Sequence, residues 1–152
     1  MAVDLRGKLP SPHGCLADAK VQWTCAVAWD LCLTDEVERW LDDLAATDAD
    51  SYAQVVAGID VLAAVGPSLG RPLVDRVKGS RLHGMKELRP GSSGRTEIRV
   101  LFVFDPWRSA ILLVGGDKSG NWTRWCRTAI PRAERMYEEY LRERTKEEEA
   151  GG

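Results

Sequence analysis

Histidine and cysteine are scarce in this chain of 152 residues, and neither is clustered. The histidines are His13 and His83; the cysteines are Cys15, Cys25, Cys32 and Cys126, with no pair at Cys-x-x-Cys spacing. A zinc site draws on grouped thiolate and imidazole ligands, so no metal site and no cofactor is expected. The cysteines read as reduced thiols of a cytoplasmic protein. Long apolar runs are missing too. Val100 to Phe104 and Ile111 to Val114 have strand length, far short of the ~18–20 residues of a membrane helix. The first fifteen residues contain no apolar core of the kind a secretory signal carries. The expectation is a soluble cytoplasmic protein with no membrane contact. Hydrophobic residues make up 44% and charged residues 29%. That balance excludes collagen, a disulfide-dense miniprotein and wholesale disorder, and fits one globular domain.

The net charge of −2 is small, but the charges are segregated. Residues 30–66 carry Arg39 alone against nine acids, and residues 71–127 carry twelve Lys and Arg against five acids. A basic stretch inside an acidic protein fits a surface for a polyanion. It fits equally a solvated basic face that pairs with acidic helices.

Residues 1–22 show no apolar period and contain the breaker cluster Leu9 to Gly14, so a loosely ordered extension is expected there. Alternation from Trp23 to Leu33 predicts a strand. Thr34 is placed to cap a helix, with Asp35 and Glu36 in its first turn. Val37, Trp40, Leu41 and Leu44 give it an apolar stripe. Asp48 or Asp50 caps a second helix with the stripe Tyr52, Val55, Val56, Ile59, Leu62 and Ala63, stopped by Gly66-Pro67. Residues 67–83 read as loop. Strands are predicted over Met85–Arg89, Thr96–Asp105 and Ala110–Gly116, separated by turns at Pro90–Gly94 and Pro106–Ser109. The last helix is expected to start at Pro131, a residue favoured in a first helical turn. Residues 145–152 read as a flexible acidic tail. The order β-α-α-β-β-β-α makes an α+β architecture: an antiparallel meander, a helical hairpin on one face and a C-terminal helix.

Three strings in that order carry a resemblance. They are Gly84-Met85-Lys86-Glu87-Leu88-Arg89, the strand with Arg99, and Gly115-Gly116-Asp117-Lys118-Ser119-Gly120. With Ile130-Pro131-Arg132-Ala133 they resemble the RelE/ParE toxin superfamily, in its phage-derived HigB-like branch. The resemblance spans about residues 25–144 and sets the domain at 23–144. It implies a toxin of a type II toxin–antitoxin module. Many members are mRNA interferases that cut messages on the ribosome; ParE-like relatives inhibit DNA gyrase instead. It also implies an antitoxin partner with a helix-turn-helix domain, through which the pair would meet operator DNA.

Metal-free RNA cleavage needs a proton acceptor for the 2′-hydroxyl, cations for the phosphorane and a proton for the leaving 5′ oxygen. Lys and Arg can serve the last two needs. The candidate catalytic residues are Lys86, Arg89, Arg99 and Lys118. Lys86 and Arg89 have opposite parity, so a regular strand cannot put both on one face. Arg99 sits mid-strand, where a charge needs an open cleft or a partner. It is either a phosphate clamp, as the resemblance implies, or the ion-pair partner of Glu97 or Glu87. Lys118 is either part of a basic catalytic loop or a plain pair with Asp117. Arg95, Arg124 and Arg127 are candidates for the RNA backbone. Trp122 and Trp125, three apart, either pack or stack on bases. His83 is a possible general acid or merely a turn residue. Cys126 stands where the branch often has an aromatic. A non-catalytic protein on the same fold, whether gyrase inhibitor or inactive remnant, is the competing expectation; the acidic sequence pI of 5.7 favours it.

Overall fold

The computed structural model describes residues 29–91 and 96–151. The expected extension over 1–22, the first part of the strand from Trp23, most of the turn before Thr96, and Arg95 all lie outside these residues. Five strands form one sheet: β1 (Asp30–Leu33), β2 (Val74–Arg76), β3 (Lys86–Leu88), β4 (Ile98–Phe104) and β5 (Ser109–Asp117). Among the described residues there are three α-helices: α1 (Asp35–Thr47), α2 (Ala49–Val65) and α3 (Trp122–Gly151). The spatial order is β1-β5-β4-β3-β2. The α+β architecture is as the pattern implied.

Thr34 starts α1 as expected. Its hydroxyl oxygen accepts from Val37 N at 3.2 Å and its hydroxyl donates to the Leu113 carbonyl at 2.9 Å. One side chain therefore caps the helix and ties it to the sheet. Asp48 caps α2 by accepting from Ser51 N at 3.2 Å. The hairpin α1–α2 lies on one sheet face, over Leu31, Leu33, Leu88, Ile98, Val100, Phe102 and Leu112. The other face, with Met85, Leu101, Val103, Ile111, Leu113 and Val114, is covered by Ala129, Ile130 and Ala133 of α3. Burial on both faces explains the near-continuous apolar runs of β4 and β5. The register shift between Leu101 and Phe102 leaves Leu113 as an extra residue of β5, so that Leu113 and Val114 in succession both face α3.

Four details differ from the sequence-based expectation. The sheet is not a pure meander, because β1 runs parallel to β5. The α1–α2 hairpin carries the chain from β1 to β2 at the far edge, and the antiparallel run β2-β3-β4-β5 brings β5 back beside β1 in the same direction. Residues 74–76, expected as loop, form β2 against β3. The last helix starts at Trp122, not Pro131, which lies inside it. Asn121 provides the start, accepting from Arg124 N at 3.3 Å. Proline removes one backbone donor there, but the turns before it are held by burial of Ala129 and Ile130. The helix also continues past Arg144 to Gly151, in keeping with the helix propensity of a Lys/Glu/Ala sequence. Finally, Cys32 is disulfide-bonded rather than reduced. Cys126 is a free thiol.

Gly115 shows how tightly the hairpin sits. A Cβ built there would lie 2.4 Å from the Trp40 ring. Gly115→Ala is therefore expected to lower stability by about 1–3 kcal/mol, the range for overpacking. Urea denaturation measures this; an unchanged midpoint would mean that Trp40 moves aside freely.

Candidate active site

On the α3 face of the sheet the buried carboxylate Glu87 has three cations around it. Period-two alternation places Glu87 on this face and Lys86 and Leu88 on the other. Lys118 Nζ donates to Glu87 Oε2 at 3.2 Å. Arg89 Nε lies 3.4 Å from Oε1, and Arg99 Nε lies 3.7 Å from the same oxygen. The cations come from three places: the residue after β3, the second residue of β4 and the residue after β5. The Lys118 side chain is 4% exposed, Glu87 10% and Arg99 14%. Burial of this kind is tolerated because the charges are paired.

Further bonds fix each group. Arg99 Nη1 donates to the Ile98 carbonyl at 2.7 Å, and Nη2 lies 3.6 Å from Glu97. Arg99 Nε is buried and has no hydrogen-bond partner. Opposite Arg99 on β5 stands Gly116, over which the Trp125 indole packs. Arg89 Nη1 reaches Asp75 of β2 at 3.4 Å. Lys118 N donates to the Glu97 carbonyl. Asp117 does not hold Lys118; its Oδ1 accepts from the backbone of Glu97 and Ser119. Beside the cluster is a cleft of about 480 Å³, whose lining includes Arg76, Glu87, Arg89, Lys118, Cys126 and Ile130. Burial pushes the Cys126 thiol pKa up, so it is a poor nucleophile.

Arg89, Arg99 and Lys118 are thus brought together, and the alternative ion pairing of Arg99 also holds, with both Glu87 and Glu97. Lys86 is not with them. It lies on the hairpin face, where Nζ donates to the Pro67 carbonyl at 3.2 Å and sits 5.3 Å from the Phe104 ring centre. Burial, with the charge of Arg76, lowers its pKa. Arg124 and Arg127 are exposed near the start of α3. Trp122 begins that helix; its side chain, like Arg95, lies outside the described residues. His83 is exposed in the turn before β3. Sequence reasoning considered Glu87 only as one possible partner of Arg99. Its signal was a lone acid at the right parity within a strand of a basic region.

The two covered faces and the mixed sheet define a small RelE-like α+β fold. The model of the family "Phage derived protein Gp49-like (DUF891)" matches residues 42–138, and the chain belongs to that family. This agrees with the HigB-like resemblance of the motifs. Over 132 residues the chain is 47% identical to "Putative toxin HigB2" of Mycobacterium tuberculosis, covering 85% of this chain and 62% of that protein. Over 109 residues it is 51% identical to "Putative toxin HigB3" of the same organism, covering 72% of this chain and 90% of that one. The chain thus spans less than two thirds of the first relative. No solved structure is significantly similar to it. No helix among the described residues is long and apolar enough to cross a membrane.

Removing the Glu87 carboxylate leaves three neighbouring cations without their common counter-ion. Glu87→Ala is expected to cost about 3–5 kcal/mol, as when one partner of a buried pair is lost. Chemical denaturation measures it. A stability within experimental error of the parent would show that solvent screens the cluster.

Proposed function

We propose that this protein is the toxin of a type II toxin–antitoxin pair and acts as a metal-independent endoribonuclease on ribosome-bound mRNA. The observation that carries this reading is the convergence of Arg89, Arg99 and Lys118 beside an open cleft, with one donor, Arg99 Nε, left unbonded. A buried donor without an acceptor costs about 1–3 kcal/mol, and a phosphate oxygen supplies the acceptor. The names of the two relatives support the toxin part.

In the proposed reaction the 2′-hydroxyl attacks the adjacent phosphorus, and the O2′–P bond forms as the P–O5′ bond breaks. Arg89 and Arg99 donate to the non-bridging oxygens, where charge grows. A phosphate that draws these cations away from Glu87 frees its oxygens to take the 2′ proton. The Lys118 ammonium supplies a proton to the departing 5′ oxygen. The products are a 2′,3′-cyclic phosphate and a 5′-hydroxyl. The partner in this reading is an antitoxin with a helix-turn-helix domain, which carries the pair to operator DNA.

Arg99 offers the sharpest test. Its guanidinium is held on β4 and can donate two parallel bonds, which an ammonium cannot. Arg99→Lys is expected to lose about 10²–10³ in cleavage rate, the scale for removing one transition-state donor, with little change in melting temperature. Growth arrest, mRNA 5′ ends and thermal melting are measured together in cells without antitoxin. Full toxicity of a folded Arg99→Ala protein removes this residue from the mechanism. Growth arrest with DNA supercoiling lost and mRNA intact points to gyrase inhibition instead.

A further inference from the structure

Lys86 is left without a role in the cleft, and its surroundings are unusual. Across the β2–β3 ribbon its directly paired residue is Arg76. Like charges directly opposite one another destabilise a sheet. A neighbouring carboxylate would relieve this pair, but among the described residues neither side chain has one as an ion-pair partner. Burial first, and the charge of Arg76 second, lower the Lys86 pKa. By contrast, the other side of the same ribbon is neutralised. There Asp75 holds Arg71 at 3.0 Å and Arg89 at 3.4 Å, and Glu87 holds three cations.

Two further facts bear on what relieves the repulsion. Lys86 uses one ammonium hydrogen on the Pro67 carbonyl and leaves two to donate. Arg76 is exposed on the edge strand and also lines the cleft of the candidate active site. The two cations are cross-strand neighbours with Cβ atoms ~5 Å apart, a separation that one phosphate can bridge.

We propose that Arg76 and Lys86 form a second phosphate subsite, which grips the RNA backbone where the strand leaves the cleft and passes over the β2 edge. The inference rests on the ribonuclease reading and adds to it the path of the substrate. In this reading a single-stranded RNA with one phosphate at the Arg89, Arg99 and Lys118 cluster continues past Arg76, which also lines the cleft, to this pair. Its contribution is to binding and register, not to the chemical step, because the pair lies outside the cluster.

The test uses the full chain with Arg76→Gln and Lys86→Met, singly and together; methionine keeps an apolar stem over Phe104. The probe is a short single-stranded RNA made uncleavable by 2′-O-methyl groups, with affinity measured as a function of salt. The double variant is expected to bind about tenfold more weakly. Its log–log salt slope should fall by about 0.7, one phosphate contact of a single strand. Single-turnover cleavage on ribosomes programmed with mRNA should show a raised half-saturation concentration and an unchanged maximal rate. Arg76→Gln alone should not lower the melting temperature, since it removes a repulsion. Unchanged affinity and slope in a folded double variant would overturn the subsite and leave the ribonuclease reading intact if the parent still cleaves. A parent that neither binds nor cleaves RNA would overturn both. A maximal rate that drops with Lys86→Met would place Lys86 in the chemistry instead.

Discussion

Everything at the candidate site depends on one carboxylate being where three cations need it. Arg89, Arg99 and Lys118 come from separate strands and would repel one another at these distances. Glu87 lies within ion-pair distance of all three, and the attraction is strong because the group is shielded from water. Its position follows from strand parity. In β3 the neighbours Lys86 and Leu88 turn toward the hairpin, so Glu87 turns toward α3. The sheet then acts as a partition, with a neutralised basic cluster beside a cleft on one side and an apolar core with acidic helices on the other.

That partition also accounts for the charge segregation. Asp35, Glu36, Glu38, Asp42 and Asp43 lie on α1, against the face of the sheet that the cluster does not use. An ion pair links the two sides: Arg132 of α3 pairs with Glu36 of α1 at 2.8 Å. The turn before β3 is pinned to α3 as well. The Ser80 hydroxyl and Arg81 N both donate to Glu134 at 2.8 Å, and Arg81 also pairs with Glu138. The ribbon that carries Glu87 and Arg89 is thereby fixed to the helix that walls the cleft, the support a preorganised site requires.

Much of this was legible in the sequence because it is periodic. The stripe from Val37 to Leu44, the cap at Thr34 and the alternation around Val100 read correctly, since helix and strand periods differ and apolar residues follow them. Arg89, Arg99 and Lys118, named from the motifs, come together around Glu87, and the parity of Lys86 against Arg89 already separated those two. The misses have physical causes. A three-residue strand such as Val74–Arg76 is too short to show a period. Pro131 reads as a helix start, whereas Asn121 caps the helix and tertiary burial carries it through the proline. The parallel pairing of β1 with β5 is a long-range fact that no local pattern encodes. Glu87 escaped because its importance lies in its three partners, which come together only in the folded sheet.

The central claim is that this cation cluster cleaves RNA through the substrate's own 2′-hydroxyl. The most direct measurement is the chemistry of the ends produced when the purified protein acts on mRNA-programmed ribosomes. Ribosomes need their own magnesium, so the protein is treated with chelator beforehand, and its metal content is checked before mixing. Fragments with a 2′,3′-cyclic phosphate and a 5′-hydroxyl, formed at the same rate as with untreated protein, are the predicted result. Fragments ending in 3′-hydroxyl and 5′-phosphate, or activity abolished by the treatment and restored by a divalent cation, would contradict it.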